Sequence, residues 1–179
     1  MMASSGVLHA FIDESGRTGK DKYMVCASTL TSSDVSGIRT GMLALRTRGT
    51  NRIHMKNEGR NAQRIINGVA ALDVHSYLYV VRKSCNFRTA RDLAFSELFG
   101  RLSTIGVKRA VIESCGEDHR DRKIIHDVLS HNPALEYLHE PASTGNPLLW
   151  IPDVHAWAWG RGGKARAAIE HRVTVQVLK

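Results

Sequence analysis

The order of β-prone and helical segments constrains the fold more than any other feature of this sequence. Two apolar, β-prone runs come first, at residues 7–13 and 22–30, and the intervening ESGRTGK has two glycines that suit a turn. Three further β-prone runs, VHSYLYVVRKS, VKRAVIES and LEYLHEPAS, then alternate with segments whose apolar residues have helical spacing. The last helical stretch, residues 147–171, contains Pro152 and Gly160, where we expect interruptions. A hairpin followed by alternating elements predicts one central sheet covered by helices in an α/β domain.

The length of the chain favours a single domain over residues 1–179, with a basic helical insertion at about 32–72. Its three cysteines form no CxxC pair, which argues against a disulfide framework and a zinc knuckle. The apolar stretches are too short to span a bilayer, and the first residues lack the features of a signal peptide. We therefore expect a soluble, cytoplasmic protein with no membrane partner.

The charge distribution points to a polyanionic partner. Lys and Arg number 25 against 17 Asp and Glu, which gives a net charge of +8. Residues 39–64 hold seven of the basic residues and one acid, Glu58. This segment is expected to contact nucleic acid through Arg46, Arg48, Arg52, Lys56 and Arg60. The alternative is a solvated helix surface that serves only solubility.

Three carboxylates occur at comparable positions in apolar surroundings. Asp13 ends the first strand in AFID, Glu113 ends the fourth in AVIE, and Asp153 follows a proline in LLWIPD. A lone charge near a core is costly unless it is paired or bound to a metal. If the two strands are neighbours and the helix begins above them, these side chains converge and suit Mg²⁺ or Mn²⁺. The alternative is that Asp13 shapes a turn and Asp153 caps the helix.

Two further residues are candidates for the same site. Successive side chains of a strand face opposite ways, so Glu14 points away from Asp13 and ranks below it. Contacts with backbone or basic groups in the turn are its alternative role. His54 follows the basic loop, and its ordinary pKa suits a proton shuttle or a phosphate contact. An ordinary surface histidine is the alternative there.

The segments FIDESG, YMVCAS, IHMK, VIES and LLWIPDVHAWAW together resemble the bacterial family of domains of unknown function numbered 3800. The likeness covers nearly the whole chain. It implies a ribonuclease H-like fold, with a central mixed five-stranded sheet flanked by helices. It also implies that acids from the first strand, the fourth strand and the final helix meet over two divalent ions. By motif position these acids are Asp13, with Glu14 as a possible addition, Glu113 and Asp153. Ribonuclease H takes a further acid from the helix after its third strand. The plausible matches to this acid in the present sequence are Glu97 and Asp92.

These observations favour a divalent-metal-dependent nuclease that hydrolyses phosphodiesters of RNA or DNA by a two-metal mechanism. The metal ligands would be Asp13, Glu113 and Asp153, and the catalytic group would also include Glu14 and His54. The alternative is a nucleic-acid-binding or regulatory module that keeps the fold and performs no chemistry. Nine histidines without an HExxH spacing argue against a zinc hydrolase.

Overall fold

The computed structural model describes residues 6–15, 22–82, 86–130 and 133–179 of the chain. Within these ranges the strands are β1 (Leu8–Ser15), β2 (Lys22–Thr31), β3 (His75–Arg82), β4 (Arg109–Glu113), β5 (Glu136–Glu140) and β6 (Val173–Leu178). The α-helices are α1 (Val35–Leu45), α2 (Ala62–Ala70), α3 (Phe87–Thr104), α4 (Asp118–Leu129), α5 (Trp150–Arg161) and α6 (Gly163–Ile169). None of the helices in these ranges is both long and apolar enough to cross a membrane.

The strands form one mixed sheet in the order β5-β4-β1-β2-β3-β6. β2 runs antiparallel to both β1 and β3, whereas β4 is parallel to β1, β5 to β4 and β6 to β3. Helices cover both faces of this sheet, so the predicted α/β class with a helix-flanked mixed sheet is confirmed. Of the turn expected at residues 14–20, Glu14 and Ser15 instead continue β1, and residues 16–20 lie outside the described residues.

The predicted count of five strands is wrong, because the described part of the chain contains a sixth. In β6, Val173, Val175 and Val177 alternate with polar residues, which is the period of a strand with one face against the protein. Residues 173–178 of β6 pair in parallel with residues 76–81 of β3. The alternation is present in the sequence, but only six residues carry it, directly after a helix.

Strand alternation divides the core into two clusters on opposite sides of the sheet. Phe11 of β1 faces the cluster formed with α1, α2, α5 and α6. Its neighbour Ile12 faces the cluster formed with α3 and α4. The same alternation continues to the end of β1, so Asp13 lies on the α5 side and Glu14 on the α3 side. Adjacent residues of β1 therefore belong to different layers.

Helix α5 continues through both of the interruptions that the sequence predicts. Pro152 does not interrupt it, because this residue lies in the first turn, where a backbone N–H has no helical partner to lose. The helix also runs through Gly160 and ends at Arg161, followed by the capping residue Gly162, whose φ of 73° favours glycine. Asp153 therefore lies in the first turn of an unbroken helix that packs across β1 and β2.

Candidate functional site

The ends of β1 and β4 bring two of the three predicted carboxylates together. Ile12 lies opposite Ile112 in the parallel pair, so Asp13 and Glu113 follow at the same level on neighbouring strands. The carboxyl ends of parallel strands open at one sheet edge, a common place for ligands. Asp153 from α5 reaches the same edge, and all three residues line one cavity of about 390 Å³.

Asp13 is the carboxylate with the least compensated charge. Its Oδ1 accepts a hydrogen bond of 2.7 Å from the backbone N–H of Glu14. Burial raises the pKa of Asp13 well above its ordinary value, and the negative charges of Glu113 and Asp153 raise it further. Across the described ranges, no Lys, Arg or His side chain forms an ion pair with it. A cation placed here would relieve this repulsion.

Glu113 already has a cationic partner from the basic segment. Nη2 of Arg52 donates to both of its carboxylate oxygens, at 3.2 Å and 3.1 Å. Nε of Arg52 is buried, and none of the residues that the structure describes accepts a hydrogen bond from it. Arg52 was predicted to bind nucleic acid and Glu113 to bind a metal ion. The ion pair brings these two side chains into direct contact.

Asp153 is held by the short helical turn that contains Met55. Its Oδ2 accepts a 2.9 Å hydrogen bond from the Met55 N–H, which spans 98 positions of the sequence. Nδ1 of His54 lies 3.5 Å from the same oxygen, too far for a good hydrogen bond. The Asp153 carboxylate nevertheless raises the pKa of His54 above its ordinary value. The protonated form that suits a phosphate contact is therefore favoured.

Glu58, the acid within the basic segment, organises the loop that carries His54. It is 7% exposed, and its carboxylate accepts hydrogen bonds from the Thr47 hydroxyl at 2.9 Å and the His54 N–H at 3.3 Å. This anchor keeps His54 beside Asp153. Lys56 follows and lines the carboxylate cavity. The remaining predicted contact residues are exposed elsewhere on this segment: Arg46, Arg48 and Arg60.

Glu14 lies on the opposite side of β1 and belongs to a different set of contacts. Its Oε2 accepts hydrogen bonds from the Tyr23 hydroxyl at 2.7 Å and from Nε of Arg91 at 2.9 Å. Arg91 is 1% exposed and also donates to both oxygens of Asp121 and to Sγ of Cys115. Glu14, Tyr23 and Cys115 nevertheless line the same cavity as Asp13, so the network reaches the cavity wall through these three residues.

The tightest group of potential metal ligands is not the predicted one. Among the residues that the structure describes, Cys115, Asp118 and Asp121 offer three ligand atoms within 4.8 Å of one another. Donors already occupy them: Arg91 contacts Asp121 and Cys115, while the Ser114 hydroxyl and the Cys115 N–H donate to Asp118. We interpret this group as a buried ion-pair network, because the Arg91 charge already compensates it.

The oxygens of Asp13, Glu113 and Asp153 do not all lie within 4.8 Å of one another. Ligand oxygens on a single Mg²⁺ lie 2.0–2.1 Å from the ion and thus at most about 4.2 Å apart. One ion does not reach all three in this arrangement, whereas two ions about 4 Å apart need a wider spread. An all-oxygen donor set around an unpaired Asp13 carboxylate fits hard divalent cations.

The other two acids considered from the sequence lie away from this cavity. Glu97 is exposed and lines a separate depression with Tyr79 and Arg101. Asp92 forms an ion pair with Arg120 between α3 and α4. Neither residue lines the carboxylate cavity. Of the acids that the sequence suggested in addition to Asp13, Glu113 and Asp153, Glu14 lines the carboxylate cavity, whereas Glu97 and Asp92 do not.

Sequence reasoning missed Arg91, although a signal for it exists. Arg91, Phe95 and Leu98 follow one another at helical spacing, so this arginine occupies an apolar stripe of α3. An arginine inside such a stripe requires a buried anionic partner. The sequence does not say which acid that is, because Asp121 and Glu14 come from separate elements.

Together the fold and the cavity define an α/β protein with an acidic, partly basic-rimmed site at the carboxyl edge of a mixed sheet. No protein-family model matches the chain. No curated protein shows detectable similarity to it. The resemblance to the family numbered 3800 therefore stays a prediction.

Proposed function

We propose that this protein is a divalent-metal-dependent nuclease that hydrolyses phosphodiesters at the cavity between β1, β4 and α5. One observation carries the proposal: Asp13, Glu113 and Asp153, far apart in sequence, line a single cavity in which their charges repel. Such a cluster is unfavourable for stability alone, and strongly perturbed carboxylates are characteristic of functional sites. The basic segment beside it suits a substrate with phosphate groups.

Each residue of the cavity has a role that follows from its position. Asp13, Glu113 and Asp153 would hold Mg²⁺ or Mn²⁺, and the bound ions would activate water and stabilise the leaving oxygen. His54, whose pKa is raised, would contact a phosphate oxygen as a cation or donate a proton. Lys56 at the cavity wall would add positive charge where the backbone passes.

We also propose that the fold is ribonuclease H-like. Strands β1 to β5 form a contiguous five-stranded part of the sheet, with β6 added beside β3. The carboxylates come from the first strand, the fourth strand and a late helix, as the resemblance implies. In this interpretation β6 is an addition to the common core.

The test is a cleavage panel on RNA, single-stranded DNA and double-stranded DNA, with Mg²⁺, Mn²⁺ or a chelator. We expect metal-dependent products from the wild-type protein and none from Asp13→Asn. The matched control is Asp127→Asn, because its side chain is 67% exposed on α4. Asp13→Asn should be at least as stable as wild type, since it removes a repelled charge, so lost cleavage would not reflect unfolding. Undiminished cleavage by Asp13→Asn would refute the site.

The ion pair between Arg52 and Glu113 favours a second candidate, a nucleic-acid-binding module without chemistry. If Arg52 permanently occupies Glu113, this carboxylate is not available to a metal. The same panel separates the two candidates. Salt-sensitive binding without metal-dependent products, together with no increase in melting temperature on adding Mn²⁺, would support the binding module.

A further inference from the structure

Two cavities lie side by side at the carboxylates and share two lining residues. The first is the carboxylate cavity of about 390 Å³ described above. The second, of about 490 Å³, lies under the loop of the basic segment. His54 and Glu113 line both cavities. A chain molecule that crosses Glu113 would therefore contact both walls at once.

The wall of the carboxylate cavity is aromatic on one side. Phe87 is 38% exposed, and its ring packs edge-on against Tyr23 with the centroids 5.4 Å apart. Tyr23 is itself fixed by its hydrogen bond to Glu14. Asn86 caps α3 by accepting the Thr89 N–H at 2.9 Å, which sets the position where Phe87 begins the helix. The Phe87 ring is thus held in place at the cavity wall.

The second cavity has a different lining. Its side chains include hydroxyls and amides, which both donate and accept hydrogen bonds: Thr47, Thr50, Asn51, Asn57 and Asn61. Arg52 adds a positive charge on the side of Glu113. Sugars, phosphates and the edges of bases are the groups that such a surface recognises. The two walls thus suit different parts of one nucleotide chain.

We propose that the substrate is a single nucleic-acid strand, with one base stacked on Phe87 and the adjoining sugar-phosphate chain in the second cavity. The inference rests on the proposed function, because it places the strand across the same carboxylates. A base in a duplex is stacked and paired, so it cannot offer a face to Phe87 without first being unstacked. The single strand is therefore the preferred form over the duplex.

The test measures binding in chelator, where no metal-dependent cleavage interferes. A short oligonucleotide with one fluorescent base analogue is titrated as a single RNA or DNA strand and as a duplex. We expect the single strand to bind more tightly and its fluorescence to change on stacking. Phe87→Ala should weaken binding by about 5- to 150-fold, whereas Phe87→Trp should keep it. Val177→Ala, which alters an exposed apolar residue on β6, should have no effect.

Phe87→Leu keeps the apolar volume but removes the aromatic face. If Phe87→Ala does not fold, Phe87→Leu decides the question by the same loss of binding. Equal affinity for strand and duplex, unchanged affinity of the Phe87 variants, or no binding of single strands would each overturn the inference. Single-strand binding that depends on Phe87, without any metal-dependent product, would leave the inference standing and refute the nuclease proposal. Metal-dependent cleavage that is unchanged in the Phe87 variants would refute the inference and leave the nuclease proposal standing.

Discussion

The Asp121→Asn substitution tests the buried network that underlies the cavity. Asp121 is 0% exposed and receives hydrogen bonds on both oxygens from Arg91, itself 1% exposed. The substitution removes one negative charge and one of the two acceptor oxygens, and among the described residues it leaves the guanidinium with Glu14 as its charged partner and with Sγ of Cys115. Breaking a buried ion pair from one side costs about 3–5 kcal/mol where the remaining charge is uncompensated. Glu14 still compensates Arg91 in part, so we expect a loss of at most about 3 kcal/mol.

This free energy translates into a large change in melting temperature. For a chain of this length, each kcal/mol lowers the melting temperature by about 2–4 °C, so a loss of about 3 kcal/mol lowers it by roughly 6–12 °C. The total stability of a typical domain is about 5–15 kcal/mol, so the variant should still fold at low temperature. Thermal and urea unfolding of the full chain measure both quantities.

Asp127→Asn is the matched control, with the same chemical change on the same helix. Asp127 is 67% exposed, and its neighbour His126, 3.5 Å away, is more exposed still. An exposed pair of this kind contributes little, so the control should stay within about 0.5 kcal/mol of wild type. Equal effects of the two substitutions, or a gain in stability from Asp121→Asn, would refute the view that Arg91 needs this carboxylate.

Three further substitutions, at His155, Gly37 and Gly68, probe other parts of the fold. Burial lowers the pKa of His155 to about 3, so below the ordinary value of 6.5 the unfolded chain binds a proton that the folded chain does not. Wild-type stability should therefore fall by up to about 1.4 kcal/mol per pH unit between 6.5 and 3, a slope that His155→Asn should reduce in urea unfolding at several pH values. If both proteins lose stability equally on acidification, His155 is not responsible. Gly37→Ala should raise stability by about 0.5–1 kcal/mol, since its Cβ meets no atom within 4 Å on helix α1. Gly68→Ala should lower the melting temperature, because its Cβ would lie 2.2 Å from a Leu45 methyl group; a gain there would show that Leu45 moves freely.

The sequence predicted the elements whose pattern is local. The class of the fold and the five earlier strands follow from apolar periodicity and turn residues, which depend on neighbours along the chain. β6 was missed because its alternation covers six residues and follows a helical pattern without a strong turn signal. Pro152 was expected to interrupt a helix because the predicted helical stretch began five residues before it. A proline in the first turn of a helix, where Pro152 lies, breaks no backbone hydrogen bond.

The candidate site was predictable only where strand geometry determined it. Glu113 ends β4 and Asp13 lies two residues before the end of β1, so their meeting depended on β1 and β4 being parallel neighbours. The Arg52 contact with Glu113 was not predictable, because it joins residues 61 positions apart through a loop without regular structure. The role of Glu58 was not predictable either. In the sequence it is a single acid within a basic segment, and its contacts with Thr47 and His54 depend on how the loop folds.

The pairing of β6 with β3 has a consequence for synthesis on the ribosome. The hydrogen-bonding groups along the outer side of β3 stay unsatisfied until residues 173–178 emerge, about a hundred positions later. An open strand edge is a template for pairing with other nascent chains. Translation pauses after residue 82 and before β6 should therefore increase aggregation. Once β6 has paired with β3, this edge of β3 is no longer open to other chains.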